Sequence, residues 1–369
     1  MTECRTIRIQ TAALLLVAGC ATAAVVPPAT GDQTVPRPDV RAHVPTPRRY
    51  LAARRTGPIT IDGRLDDPAW AAAPWTESFT DIEGSIRPGP RYRTRVKMLW
   101  DDTAWYIGAE IEEPDLWATI REHDAVIFRD DDFELFVDPS GSTHRYFEVE
   151  MNALATVWDL FLPKPYRDGG RAENGWDILG IKIAVALDGT LNDPRDRDRG
   201  WSAELAIPWT AFADSGRNRV PPAAGEQWRV NFSRVEWDVD TVRGGYAKRT
   251  DAAGKALPEH NWVWSPQGAV NMHLPELWGV VQFGGHAITS DPATDDARWQ
   301  LRRVYYAERL YHIVHGSYAP ALGDLQLAGL PAALVFSGNA SDWEASVTAA
   351  RGRPPVTWHI RADGLIWHD

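Results

Sequence analysis

Carboxylates recur at close intervals between Arg129 and Asp159. Asp130, Asp131 and Asp132 stand in a row, Glu134 follows, and Glu148 and Glu150 return after a connector rich in Pro, Gly, Ser and Thr. Three kinds of chemistry use such residues. A row of Asp offers the oxygen ligands that calcium prefers. Two carboxylates about 5 Å apart on neighbouring strands are the equipment of a retaining glycosidase, and Glu134 with Glu148 would be that pair. Carboxylates beside Arg229 and Asn231 combine acceptors with donors, as a ligand rich in hydroxyl groups requires. A solvated sheet face is the ordinary alternative. No residue pattern marks Glu134 or Glu148 as an acid of raised pKa, so binding outweighs catalysis. Arg229 or a calcium ion is the expected neutralising partner of the clustered Glu.

The elements that must position these residues are strands. Phe133, Leu135 and Val137 alternate with polar neighbours, as do Phe147, Val149 and Met151, which predicts an antiparallel hairpin with one oily face. Trp228, Val230 and Phe232 alternate with Arg229, Asn231 and Ser233 in the same way. Further strands are expected at Ile59–Ile61 before an Asp62-Gly63 turn, Arg91–Leu99, Trp105–Ile111, Ile178–Leu187, Trp201–Ile207 and Trp278–Phe283. Many short strands with regular turn signals indicate a β-sandwich. Helical spacing over Asp295–His315 with Gly316 at its end, then strands over Ala333–Ala349 and Val356–His368, predicts a small C-terminal α+β appendage. The expected divisions are 1–20, 21–49, 50–285 and 286–369, with 50–285 able to fold alone.

The chain has 369 residues and a formal net charge of −11, which argues against nucleic acid as a partner. Its hydrophobic content of 44% suffices for a packed core. The 18 Trp are unusual against 10 Phe and 10 Tyr, and Trp serves both core packing and stacking on sugars. Both cysteines, Cys4 and Cys20, lie at the N-terminus and cannot staple the fold. Arg5 and Arg8 precede the apolar run Ala12–Ala18, the pattern of a secretory signal too short to span a bilayer. The signal ends in Leu16-Val17-Ala18-Gly19-Cys20, which resembles the bacterial lipobox; the resemblance implies cleavage before Cys20 and lipidation of its thiol. Residues 21–49 are rich in Ala, Pro and Thr and read as a semi-extended tether. His144, His260, His312 and His315 show no zinc spacing.

Ordered matches then extend across the sandwich. ITIDGRLDDPAWAAA (59–73), WDDTAWYIGAEIEEPDL (100–116), DDDFELFVDP, YFEVEMNALATVWD, GWSAELAIPW (200–209), GEQWRVNFSRVEW (225–237) and PELWGVVQF (275–283) together resemble family 9 carbohydrate-binding modules. The resemblance implies a secreted sugar-binding β-sandwich, often attached to glycoside hydrolases, with calcium as a structural ion. The family's two sugar-clamping Trp positions fall near Phe128 and Met272, beside Asn271. Its strand Glu falls on Glu134, and a sugar-contacting Arg on Glu148. Trp262 or Trp264 is available as a substitute clamp.

The expected protein is therefore a lipid-anchored component of the bacterial cell envelope that binds an oligo- or polysaccharide, in the service of glycan breakdown. A glycan hydrolase using the carboxylate pair is the enzymatic alternative. A structural envelope lipoprotein without a ligand is the third.

Overall fold

The computed structural model describes residues 46–216, 219–349 and 355–369. The signal, Cys20 and the tether up to residue 45 lie outside the described residues. In chain order the strands are β1 (Arg49–Arg54), β2 (Thr80–Asp81), β3 (Thr94–Trp100), β4 (Ala104–Glu112), β5 (Asp132–Asp138), β6 (Tyr146–Asn152), β7 (Val157–Leu162), β8 (Lys182–Asp188), β9 (Gly200–Pro208) and β10 (Glu226–Glu236). They continue with β11 (Val239–Val242), β12 (Gly245–Lys248), β13 (His260–Val263), β14 (Gly279–Phe283), β15 (Val335–Gly338), β16 (Trp343–Ala349), β17 (Val356–Arg361) and β18 (Ile366–His368); helix α1 spans Pro292–His315.

The molecule is mainly β. One layer runs β7-β6-β5-β10-β14-β1 and the other β1-β3-β4-β9-β8. The two are joined because β1 pairs parallel with β14 through Tyr50–Val281 and then parallel with β3 through Ala53–Leu99. These are the parallel joints in an otherwise antiparallel sandwich. Phe133, Leu135, Val137, Phe147, Val149, Met151, Val230 and Phe232 enter the core from one layer, and Met98, Trp105, Ile107 and Leu205 enter it from the other. The alternation read from the sequence thus places the oily faces where expected, since successive strand side chains point to opposite faces. Trp228 and Phe283 pack edge to face with centroids 4.9 Å apart, and Trp209 meets both.

Ile59–Ile61 does not form the expected strand. The segment packs beside Leu65 and Trp70, and Glu204 pins the turn after it. Glu204 accepts from the N–H groups of Asp62 and Gly63, each at 2.9 Å, and from the Trp70 indole at 2.7 Å. Gly63 has φ of +87°, and a Cβ there would come within 2.4 Å of the Ala186 nitrogen, so no other residue fits.

Helix α1 begins at Asp291, which accepts from the Thr294 N–H at 3.2 Å, and ends at Gly316 with φ of +71°. Four antiparallel strands follow, β15-β16-β17-β18, where two long strands were expected. The turn anchored by Asn339 divides the first run, and the turn at Asp363-Gly364 divides the second. Trp299, Val304 and Tyr305 of the helix share an apolar cluster with Trp343 and Ile360, and also with Leu274 and Leu277 ahead of β14. Buried charges join the same surfaces: Arg167 pairs with Glu276 at 2.9 Å, and Asp168 pairs with Arg309 at 3.0 Å and accepts from the Tyr305 hydroxyl at 2.5 Å. Among the described residues, no helix is long and apolar enough to cross a membrane.

Candidate functional site

The polar face of β5, β6 and β10 carries the candidate site. Register sets Glu134 opposite Glu150 on one side and Ser233 on the other, while Glu148 stands opposite Phe136. Like charges directly opposite each other on paired strands repel. Here the repulsion is sharpened by burial: Glu134 and Glu148 are 4% exposed, Glu150 2% and Asp132 0%. The face is therefore an enclosed acid cluster and not the open floor the alternation implied. One oxygen each from Asp132, Glu134 and Glu150 lie within 4.8 Å of one another. Asp132 Oδ2, Glu134 Oε2 and Glu148 Oε2 accept no hydrogen bond. Among the described residues, no Arg, Lys or His forms a salt bridge with any of the four. Burial, then the mutual repulsion of the cluster, pushes Glu148 up to about 8 and holds Glu150 and Asp132 well above the carboxylate range; burial pushes Glu134 up to about 7.

Aromatic and loop residues border the cluster. The Phe128 N–H donates to Glu150 Oε2 at 3.0 Å, and its carbonyl accepts from the Trp237 indole at 3.0 Å. The Phe128 ring lies 6.4 Å from that of Trp158, the register partner of Glu150. Lys248 sits over the Trp237 ring at 3.2 Å, and burial lowers its pKa to about 8. On the Glu148 side, the Tyr146 hydroxyl meets His273 Nδ1 at 2.9 Å, and the Tyr166 ring stands edge-on to His273 at 4.5 Å. Burial, aided by the charge of Arg167, pushes His273 down to about 3, so it is neutral. The Asn271-Met272-His273 loop is held tightly: Asn271 Oδ1 accepts from the His273 N–H at 2.9 Å, and the Met272 carbonyl accepts from the Trp278 indole at 2.8 Å.

Two expected members of the floor are engaged elsewhere. Asn231 donates to the Ser265 carbonyl and accepts from the Ser265 N–H, both at 2.9 Å, so its amide locks a loop. Arg229 lies at the far end of its strand, opposite Asp138, and donates to the Trp278 carbonyl at 3.1 Å. It lines a small cavity with Glu276, Asp295 and Arg298, so it does not neutralise the clustered Glu. Neither Trp262 nor Trp264 substitutes for the clamp: both are buried in the sandwich core, Trp264 against Phe232 and Trp262 beside Tyr92.

The Asp130–Asp132 row does not converge on one ion. Asp130 accepts from the Thr119 N–H and hydroxyl, the Ile120 N–H and the Asn152 amide, between 2.7 and 3.0 Å. Asp132 joins the acid cluster. Asp131 turns to the other face and joins Glu113 and Glu236 around Arg234, with oxygens within 4.8 Å of one another. Asp130 and Asp131 precede β5, which begins at Asp132, and each is drawn to different partners: Asp130 to the Thr119–Ile120 loop and Asn152, Asp131 to the Trp237 N–H beside Arg234. A calcium site made of these three Asp does not fit.

Trp158 and Tyr166 were not singled out in the sequence. Trp158 was legible, because period-two reading of Val157–Leu162 sets it beside Glu150. Tyr166 lies in a loop and carries no periodic signal.

A family model described as Carbohydrate family 9 binding domain-like matches residues 61–282. No curated protein matches the chain. Among solved structures, a family 9 carbohydrate-binding module from Caldicellulosiruptor kristjanssonii in complex with cellotriose is 17% identical, with a TM-score of 0.39, over 65% of this chain and 95% of that one. The module from the same organism in complex with glucose is 17% identical, with a TM-score of 0.39, over 66% of this chain and all of that one. A candidate carbohydrate-binding protein from Bacteroides uniformis is 17% identical, with a TM-score of 0.47, over 64% of this chain and all of that one.

Proposed function

Since the chain belongs to the carbohydrate family 9 binding domain-like proteins, we propose that it is a non-catalytic binder of an oligo- or polysaccharide. The acid cluster of Asp132, Glu134, Glu148 and Glu150 is the ligand's polar contact, with Phe128 and Met272 at its border. The observation that carries this reading is the set of three buried carboxyl oxygens that no protein donor satisfies. Buried polar atoms without partners are costly, and sugar hydroxyls are fitting donors. A protonated Glu also donates, so a cluster near its titration range offers both roles to one sugar ring. Phe128 covers an apolar C–H face.

Titration calorimetry tests the reading, with cellotriose and glucose as the first ligands and a glycan panel after them. Glu134→Ala is expected to weaken binding ~10- to 100-fold, the loss of one charge-assisted hydrogen bond. Phe128→Trp is expected to tighten it through a larger stacking face. Unchanged affinity in a folded Glu134→Ala protein would move the site elsewhere. Release of reducing sugar during the same titration would favour the hydrolase reading, for which the close approach of Glu134 to Asp132 and Glu150 is the supporting observation.

The proposal extends to location. A signal over residues 1–20, lipidation at Cys20 and the Pro-rich tether to residue 49 would hold the sandwich at the bacterial cell envelope, where it serves glycan breakdown. Stable attachment needs more than one acyl chain, as in the multiply acylated lipoprotein form. Cys20→Ala is expected to move the protein from the membrane fraction to the soluble or precursor pool. Fractionation like wild type would refute the anchor and leave sugar binding untouched.

A further inference from the structure

Outside the acid face, four side chains from three separate stretches meet at the free edge of the sandwich. His123 and Asp124 follow β4 in a loop, Asp159 stands in β7, the end strand of its layer, and Asp177 lies in the loop before β8. Each offers one ligand atom, all within 4.8 Å of one another. His123 Nε2 is 2.9 Å from Asp177 Oδ1, 3.4 Å from Asp124 Oδ1 and 3.9 Å from Asp159 Oδ1.

We propose that His123, Asp124, Asp159 and Asp177 form a binding site for a first-row divalent metal ion, with Zn²⁺ as the best fit. Three observations support it. First, the Asp159 side chain is 2% exposed, yet its Oδ1 accepts no hydrogen bond and faces the cluster; its other oxygen is occupied by the Ile178 N–H at 2.5 Å. Asp124 Oδ1 is likewise buried without a hydrogen bond. Second, His123 Nδ1 lies 3.0 Å from the Val157 carbonyl. An N–H at Nδ1 leaves the Nε2 lone pair directed at the three carboxylates, the arrangement by which a backbone carbonyl orients a metal-binding His. The Asp124 N–H donates to that same carbonyl at 3.1 Å, and Asp124 holds a left-handed φ of 62°, so the pair is fixed in one pose. Third, the spacings suit the ion. Bonds of about 2.0–2.2 Å around tetrahedral zinc put ligand atoms about 3.4 Å apart, a spacing that the His123 distances of 2.9, 3.4 and 3.9 Å bracket.

Charge points the same way. A protonated imidazole offsets one of three carboxylates; a dication with neutral imidazole offsets two. An imidazole ligand favours zinc and its neighbours over calcium, which takes oxygen ligands. An open pocket of about 520 Å³, lined by Arg121, His123, Asp159 and Asp177 among others, leaves room for water or an outside ligand on the ion. The site is independent of the proposed sugar contact, because Asp159 and Trp158 point to opposite faces of β7.

The test uses purified full-length chain stripped with chelator and titrated with ZnCl₂, followed by metal analysis after dialysis. Wild type is expected to retain one Zn²⁺ per chain. His123→Ala/Asp177→Ala and, separately, Asp159→Asn are expected to weaken it at least tenfold, and CaCl₂ is expected to compete poorly. His123 and Asp177 side chains are 56% and 53% exposed, so their double variant is expected to melt like metal-free wild type. Asn at 159 can still accept from Ile178. Zinc binding that is absent in wild type, or equal in folded variants, would overturn the proposal.

Discussion

Arg234→Met is expected to destabilise the protein by about 3–5 kcal/mol, the range for removing one partner of a buried ion pair. Arg234 is fully buried and is the cation held among Glu113, Asp131 and Glu236. Its guanidinium pairs with Glu113, lies 2.6 Å from Glu236, and donates to the Glu112 carbonyl at 2.7 Å. Burial already pushes Glu236 up to about 7 and holds Glu113 and Asp131 well above the carboxylate range, even with Arg234 in place. Without the arginine the acids must stay protonated to remain buried. The loss should therefore be larger at pH 8 than at pH 5. Urea denaturation at both pH values measures it. Adding Glu113→Gln and Glu236→Gln should recover much of the loss, because the buried charges vanish with their partner. A change within about 0.5 kcal/mol for Arg234→Met alone would show that the charge set does not support the fold.

The second large effect is a fall in stability with rising pH. Glu134 and Glu148 have folded-state pKa values of about 7 and about 8, raised chiefly by burial. A raised folded-state carboxyl pKa means that the folded protein binds protons more tightly than the unfolded chain. Its contribution is fully present below the unfolded value, near 4.5, and is lost as pH rises through 7 and 8. Each tenfold change in proton affinity is worth about 1.4 kcal/mol. The two groups together should contribute several kcal/mol across this window. Ligand-free protein should accordingly melt at a higher temperature at pH 5 than at pH 8.5. Glu148→Gln should flatten that slope and be more stable than wild type at pH 8.5, since the amide never has to ionise. Scanning calorimetry across the window decides this; a melting temperature that rises with pH would contradict the buried-acid reading. Sugar that hydrogen-bonds the cluster should shift the curve, whereas zinc at His123 should not change the Glu148→Gln difference.

Strand periodicity made most of the sandwich legible. The oily faces of β5, β6 and β10 follow from alternation alone, because each core residue is two positions from the next. The helix was equally legible from its Gly316 stop and its spacing. Elements that lack alternation were lost: β1 begins where a tether was expected to end, and the β11–β12 hairpin and β13 are short and polar. The strand expected at Ile59–Ile61 failed because its β-branched residues pack beside Trp70 while Glu204 captures the following turn.

The sequence by itself determined which side chains share a face, since a period of two leaves no choice once a strand is assigned. It therefore determined that Glu134, Glu148 and Glu150 stand together, whereas the separation of Asp131 from Asp132 emerged only in the fold. Only the tertiary structure decided what covers that face. Enclosure turned an apparent solvated floor into buried carboxyls with raised pKa values, because burial penalises charge whatever the spacing. The tertiary structure also decided partners. Arg229 went to the Trp278 carbonyl and Asn231 to Ser265, because crossing strands and loops, not neighbours in sequence, supplied the nearest acceptors. The His123 cluster belongs wholly to that second category: its residues come from three separate stretches, share no period, and meet only because β7 closes the edge of the sandwich beside two loops.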